Sequence, residues 1–135
     1  MDPKELIKLA KEAMQSAYVP YSHFKVGAAL LTKSGNVFQG CNIENAAYSP
    51  TNCAERTAFF KAVSEGERDF TAIAVVGGPD GNIRDFCPPC GVCRQVMAEF
   101  CGDDFKIYLG RDDEEYLTYT MSEILPFRFT GKDIE

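Results

Sequence analysis

Two short segments hold residue types suited to metal chemistry: Cys53-Ala54-Glu55 and Pro89-Cys90-Gly91-Val92-Cys93. Each falls where a helix is expected to begin. Cys90 and Cys93 are three apart, so in a first helical turn they lie about 60° from each other on one face. That brings two thiolates to one ion. Cys53 and Glu55 are two apart, about 200° on a helix body, which is nearly opposite. They can share a site only if it lies off the helix's N-terminal end. The spacing therefore puts a metal between two helix N-termini, held by Cys53, Cys90 and Cys93.

Helix N-termini also solve an electrostatic problem. Zinc binds the thiolate, whereas a free Cys has a pKa of ~8.5. The positive end of a helix favours the anion. Three thiolates around Zn²⁺ leave a formal charge of about minus one, which weakens the ion as a Lewis acid. Arg56 follows Glu55 directly and is placed to donate hydrogen bonds to the sulfurs, offsetting the excess. Structural zinc sites close with four protein ligands, while catalytic ones leave a position for water. The one His, His23, lies in a separate segment and reads as a surface or strand-start residue. Cys87 has metal-like spacing to Cys90 and Cys93 and stands as the alternative fourth ligand. Cys41 and Cys101 read as small buried apolar residues.

The elements that must position these groups are legible in outline. Asp2 as N-cap, Pro3 at the first position and Glu5 at the third open a first helix. Leu6, Leu9, Ala10, Ala13 and Ala17 continue it, up to Tyr18-Val19-Pro20-Tyr21. Residues 24–32 and 37–41 read as a hairpin around Lys33-Ser34-Gly35-Asn36, and 42–52 as a loop. A second helix is expected over 53–64, ended by Gly66, and a central strand over 71–76, apolar on both faces. Residues 77–82 read as a loop, 90–101 as a third helix ended by Gly102, and 105–109 and 116–120 as strands around an acidic turn. Thr120 and Glu123 form a capping box for a short last helix, stopped by Pro126. The order α-β-β-α-β-α-β-β-α predicts a three-layer α/β/α sandwich with a five-stranded mixed sheet, in a single domain over 1–135.

Composition narrows the function classes. The 135 residues include 45% hydrophobic and 25% charged types, ordinary material for one folded domain. Fourteen Lys+Arg against 20 Asp+Glu give a net charge of -6, which argues against a polynucleotide partner. The longest apolar stretches are strand-sized and too short to span a bilayer. The polar start, Met1-Asp2-Pro3-Lys4-Glu5, lacks the pattern of a signal peptide. A reducing, cytoplasmic location is expected, with the six Cys as thiols or metal ligands rather than disulfides.

Cys-x-x-Cys alone is weak, since redox and structural sites use it too. Paired with an upstream Cys-x-Glu it matches the zinc-deaminase signature. A free Glu beside a metal-activated water has an evident use, because it can take the water's proton and deliver it to a ring nitrogen and a leaving amine. At these residues the chain resembles the short, homotetrameric cytidine deaminases. The likeness also covers 20–30 (Pro-Tyr-Ser-His-Phe-Lys-Val-Gly-Ala-Ala-Leu), 40–48 (Gly-Cys-Asn-Ile-Glu-Asn-Ala-Ala-Tyr), Thr51-Asn52 before Cys53, and Arg94-Gln95-Val96 after Cys93. It implies that fold, one Zn²⁺ per subunit on Cys53, Cys90 and Cys93, and Glu55 as proton shuttle. It further implies Asn42 and Glu44 on the sugar hydroxyls, Phe24 against the base and the Ala54 backbone on the pyrimidine. Ala46, Tyr48 and Phe129 would reach the site of a neighbouring subunit. Phe127 is the alternative to Phe129, because the tail Phe127-Arg128-Phe129 carries an extra Phe. The unusual Cys87-Pro88 pair precedes Pro89 in the loop carrying Cys90.

The activity this implies is hydrolytic deamination of cytidine and 2′-deoxycytidine in pyrimidine salvage. Deamination of another pyrimidine-like substrate is the rival within enzymes. A four-sulfur structural zinc module and a redox Cys-x-x-Cys protein are the rivals outside that chemistry. Glu44 disfavours a phosphate near the sugar, which points to a small neutral nucleoside as partner.

Overall fold

The computed structural model describes residues 1–135. Helix α1 spans Pro3–Met14, β1 Phe24–Thr32, β2 Val37–Cys41, α2 Ala54–Ser64, β3 Phe70–Pro79, α3 Gly91–Phe100, β4 Lys106–Gly110, β5 Tyr116–Thr120 and α4 Met121–Ile124. A 3-10 turn over Gly131–Ile134 closes the chain. The strands form one sheet in the order β2-β1-β3-β4-β5. β3 and β4 are parallel, and every other neighbouring pair is antiparallel.

Strand alternation divides the core into two layers. Ala28, Leu30, Ile73, Val75, Ile107 and Leu109 face α2, α3 and α4, where Ala58, Phe59, Met97 and Met121 meet them. Ala29, Leu31, Ala72, Ala74 and Val76 face the other way, onto Leu6, Ile7, Ala10 and Met14 of α1. The expected α/β/α sandwich and five-stranded mixed sheet are therefore present. Two glycines let helices approach the sheet closely. A Cβ on Gly27 would lie 2.6 Å from the Met14 nitrogen, and one on Gly40 would lie 2.6 Å from the Ala58 nitrogen. Gly40 thereby sets the depth of α2 and of the residues at its N-terminal end.

Four elements differ from expectation. α1 stops at Met14, so Ala17 lies outside it. The Tyr18 amide instead donates to the Asn42 carbonyl, and Tyr18 bridges to Ile43. This pairing brings the 42–44 loop beside the turn that precedes β1. β3 runs on through Gly77, Gly78 and Pro79, which pair with Val26, Lys25 and Phe24. A Cβ on Gly77 would stand 3.0 Å from the Cys87 sulfur, so this strand end passes close under the loop that leads to Cys90. α3 ends because Cys101 turns extended (φ -124, ψ 138), one residue before Gly102. The strand expected over 105–109 lies one residue later, and its first position, Phe105, is buried core.

Candidate active site

The site is assembled from helix caps. Cys53 is the N-cap of α2, with extended backbone (φ -79, ψ 158) and no capping bond from its side chain. Its sulfur is thus left for another partner. Cys90 is the N-cap of α3, and its sulfur accepts from the Cys93 amide at 3.5 Å. The Cys53 and Cys90 sulfurs are 3.8 Å apart, and those of Cys90 and Cys93 are 3.5 Å apart. All three sulfurs lie within 4.8 Å of one another. Zinc–sulfur bonds of about 2.3 Å in a tetrahedron require sulfurs roughly 3.8 Å apart. The donor set and its spacing fit zinc. Cys93 is buried and Cys90 is exposed, so the cluster is open on the Cys90 side.

Charge around the sulfurs is uneven. Hydrogen bonding from Cys93, and further from Arg56 and Cys90, pulls Cys53 down to about 5 despite burial. Cys93, donating to that thiolate and buried, is pushed up. Zinc binds thiolates, so loading the site would release whatever protons the three sulfurs hold. The Arg56 guanidinium donates to the Cys53 sulfur at 3.3 Å. Burial works against its charge, but the Cys53 and Cys93 sulfurs outweigh that and hold it protonated. Its Nε is buried without a partner.

Glu55 is buried at 4% exposure. It sits beside the cluster without belonging to the three-sulfur group. Burial raises its pKa to about 7, the Cys53 charge adding to the effect. A carboxyl group poised near neutrality beside a metal site is suited to proton transfer. Cys87 is not in the sulfur group, and burial pushes its thiol up to about 11. The four-sulfur alternative therefore has no support in this geometry. Cys101 is buried, as expected, whereas Cys41 is only half-buried. His23 is exposed just before β1 with φ 58, as a strand-start residue.

A second group flanks Phe24, the first residue of β1, whose ring is partly exposed. Asn42 donates from Nδ2 to the Phe24 carbonyl at 2.8 Å and accepts at Oδ1 from the Val26 amide at 2.9 Å. The Glu44 carboxylate accepts from the Tyr21 and Ser22 amides, both at 3.1 Å, and from the Ser22 hydroxyl. The Ser22 hydroxyl, then the backbone donors and His23, hold Glu44 below the usual carboxylate range. Glu44 lines an open cleft of about 400 Å³ with Tyr21, Ser22, Asn45, Tyr48 and Thr51. Sequence reasoning did not find Ser22, Tyr21 or Thr51. The one available signal was a Tyr-Ser pair just before Phe24 in the same motif. Ala54 is fully buried as the first residue of α2. Its amide belongs to a helical turn whose donors lack intrahelical acceptors.

The remaining candidates lie on the surface. Ala46 and Tyr48 are exposed, Tyr48 with φ 62. Phe127 is fully exposed with φ 51, and Phe129 is 57% exposed. The Phe129 carbonyl accepts from Gln95 of α3 at 2.9 Å, which ties the tail to the helix that begins at Cys90.

Residues 1–109 match the family model described as the cytidine and deoxycytidylate deaminase zinc-binding region. The chain belongs to the cytidine and deoxycytidylate deaminases. Among this family, the cytidine deaminase of Halalkalibacterium halodurans is 57% identical over 134 residues, covering 99% of this chain and 98% of that protein. The cytidine deaminase of Sporosarcina psychrophila is 52% identical, covering 99% and 96%. The crystal structure of cytidine deaminase from Burkholderia pseudomallei superposes with a TM-score of 0.88 at 46% identity, covering 96% of this chain and all of that one. Membership in a zinc-binding deaminase family and the spacing of the three sulfurs agree on zinc as the metal.

Proposed function

We propose that this protein hydrolyses cytidine and 2′-deoxycytidine to uridine and 2′-deoxyuridine, releasing ammonia. The observation that carries this reading is a three-sulfur zinc site beside a buried carboxyl group that is not a ligand. Cys53, Cys90 and Cys93 would hold one zinc per chain. When bound, zinc supplies the Lewis acidity that makes water nucleophilic near neutral pH. Glu55 accepts the proton that water loses and passes it to the ring nitrogen N3 of the base. It then takes the second proton of the attacking oxygen to the exocyclic amine, which leaves as ammonia. The sum is nucleoside plus water giving the uridine and ammonia. Arg56 withdraws charge from the Cys53 sulfur through its hydrogen bond and so preserves the metal's acidity.

Asn42 and Glu44 take the sugar hydroxyls in this reading, Phe24 packs against the base, and the Ala54 backbone holds its edge. Amide and carboxylate both retain acceptor sites beyond their internal bonds. The exposed Phe127, Phe129, Ala46 and Tyr48 are suited to completing sites across a homotetramer, with Phe129 as the stacking residue and Phe127 as its alternative. Pyrimidine salvage in the cytoplasm is the accompanying physiological reading. Three Cys read as zinc ligands and three as unpaired thiols fit a reducing compartment.

The test is an ultraviolet assay of zinc-loaded protein with cytidine, cytidine monophosphate and single-stranded RNA, with and without chelator. Cytidine should be consumed, and chelation should stop the reaction. Turnover of the polymer alone would contradict the substrate assignment.

A further inference from the structure

Phe24 is pinned from both sides by the two residues proposed to bind the sugar. On its C-terminal side, Asn42 Nδ2 donates to the Phe24 carbonyl at 2.8 Å. On its N-terminal side, the connection runs through one hydroxyl. The Ser22 Oγ accepts from the Phe24 amide at 3.0 Å and donates to Glu44 Oε2. The Ser22 amide donates to the other oxygen, Glu44 Oε1, at 3.1 Å. Ser22 therefore fixes both oxygens of a carboxylate that lies 22 positions away in the chain, and also binds the first amide of β1.

We propose that Ser22 is a positioning residue for sugar recognition, relaying the fixed start of β1 to the orientation of the Glu44 carboxylate. This rests on the reading of Glu44 as a ligand of the sugar hydroxyls. A carboxylate with one oxygen held by two amides and the other by a hydroxyl has little rotational freedom. Its free lone pairs point in fixed directions, so a sugar hydroxyl meets a preorganised acceptor. The start of β1 is held independently by Asn42 at the Phe24 carbonyl and the Val26 amide, so the Ser22 hydroxyl, which accepts from the Phe24 amide, is itself fixed by the strand. Ser22 is exposed, so replacing it need not disturb the core, and Thr keeps the hydroxyl.

The experiment compares equilibrium binding of uridine and 2′,3′-dideoxyuridine to zinc-loaded wild-type, Ser22→Ala, Ser22→Thr, Glu44→Gln and the Ser22→Ala/Glu44→Gln double variant, with cytidine turnover measured in parallel. Ser22→Ala should weaken uridine roughly 5- to 20-fold, at or just below the lower end of the range for losing a hydrogen bond to a charged group, because the site is open to solvent. It should change dideoxyuridine less than about 2-fold, and Ser22→Thr should restore uridine binding. In the Glu44→Gln background the same Ala substitution should cost under about 2-fold, because residues acting through one another are not additive. Equal weakening of both ligands, failure of Thr to rescue, or additive losses would overturn the relay. A wild type that binds uridine in this hydroxyl-dependent way yet releases no ammonia from cytidine would contradict the deaminase reading and leave the relay supported.

Discussion

The sulfurs of Cys53 and Cys90 lie 3.8 Å apart although 37 positions separate them in the chain. Each belongs to the residue capping the start of a helix, α2 or α3. Two helix N-termini thus converge on one point, and the partial positive charge of each favours thiolate there. The metal site is a junction between elements rather than a motif within one.

A junction of this kind makes metal and stability interdependent. Replacing Cys53, Cys90 or Cys93 by Ser should abolish binding of one zinc per chain and lower the unfolding temperature, because binding energy at the site is folding energy. Metal analysis together with thermal unfolding checks this. Cys87→Ser should keep zinc, since Cys87 lies outside the three-sulfur group; loss of zinc from that variant would restore the four-sulfur alternative.

Arg56 donates to the Cys53 sulfur at 3.3 Å. Removing it returns electron density to the sulfurs and blunts the metal. Arg56→Ala should lower turnover roughly 10- to 100-fold, the scale for lost partners of metal ligands. Arg56→Lys, which keeps a charge but not the planar fork, should recover only part. Steady-state kinetics at measured zinc content checks this, and an unchanged rate would deny Arg56 this role.

Gly40 lies under α2, and a Cβ there would stand 2.6 Å from the Ala58 nitrogen. Gly40→Ala should push α2 away from β2 and cost about 1–3 kcal/mol as overpacking. The displacement carries Cys53 with it, so zinc affinity should fall too. Denaturant unfolding and competitive metal titration read the two effects separately. Wild-type zinc affinity in a destabilised variant would break the link between helix depth and the site.

Glu44 stays charged at lower pH than an ordinary carboxylate, held by the Ser22 hydroxyl first and the backbone donors next. Its depressed pKa means the charged form persists as pH falls and is lost only below the usual Glu value of ~4.3. The ratio of uridine to dideoxyuridine affinity should therefore be flat from about pH 8 to about pH 5. A ratio that collapses between those limits would show that the hydroxyls are held by some other group.

Much of this arrangement was legible in the chain before folding. The bounds of β1, β2 and β5 agree with alternation and turn residues. Caps were readable at Asp2 and in the Thr120–Glu123 box. The convergence of two helix starts on a metal followed from the angular argument on Cys53, Glu55, Cys90 and Cys93. Tertiary pairing hid the rest. Ala17 continues the helical spacing, but Tyr18 pairs with the 42–44 loop instead. Gly77 and Gly78 look like loop, yet they pair in β3, and at Gly78 no side chain fits, since a Cβ would overlap the Asn82 carbonyl oxygen. The bond from Ser22 to Glu44 links two loops, and no periodicity announces such a contact. Glu55 was readable as a free carboxylate, whereas its burial arises only once α2 packs on the sheet and beside α3.

The part assigned to Glu55 is tested most directly by turnover of cytidine with zinc-loaded wild type and Glu55→Gln, each at measured zinc content. The wild type should convert cytidine to uridine. Glu55→Gln should retain about one zinc per chain while its rate falls by about three orders of magnitude or more, within or beyond the usual range for a lost acid–base group. Near-normal turnover in the Gln variant would contradict the proton-transfer role, and an idle zinc-loaded wild type would contradict cytidine deamination itself.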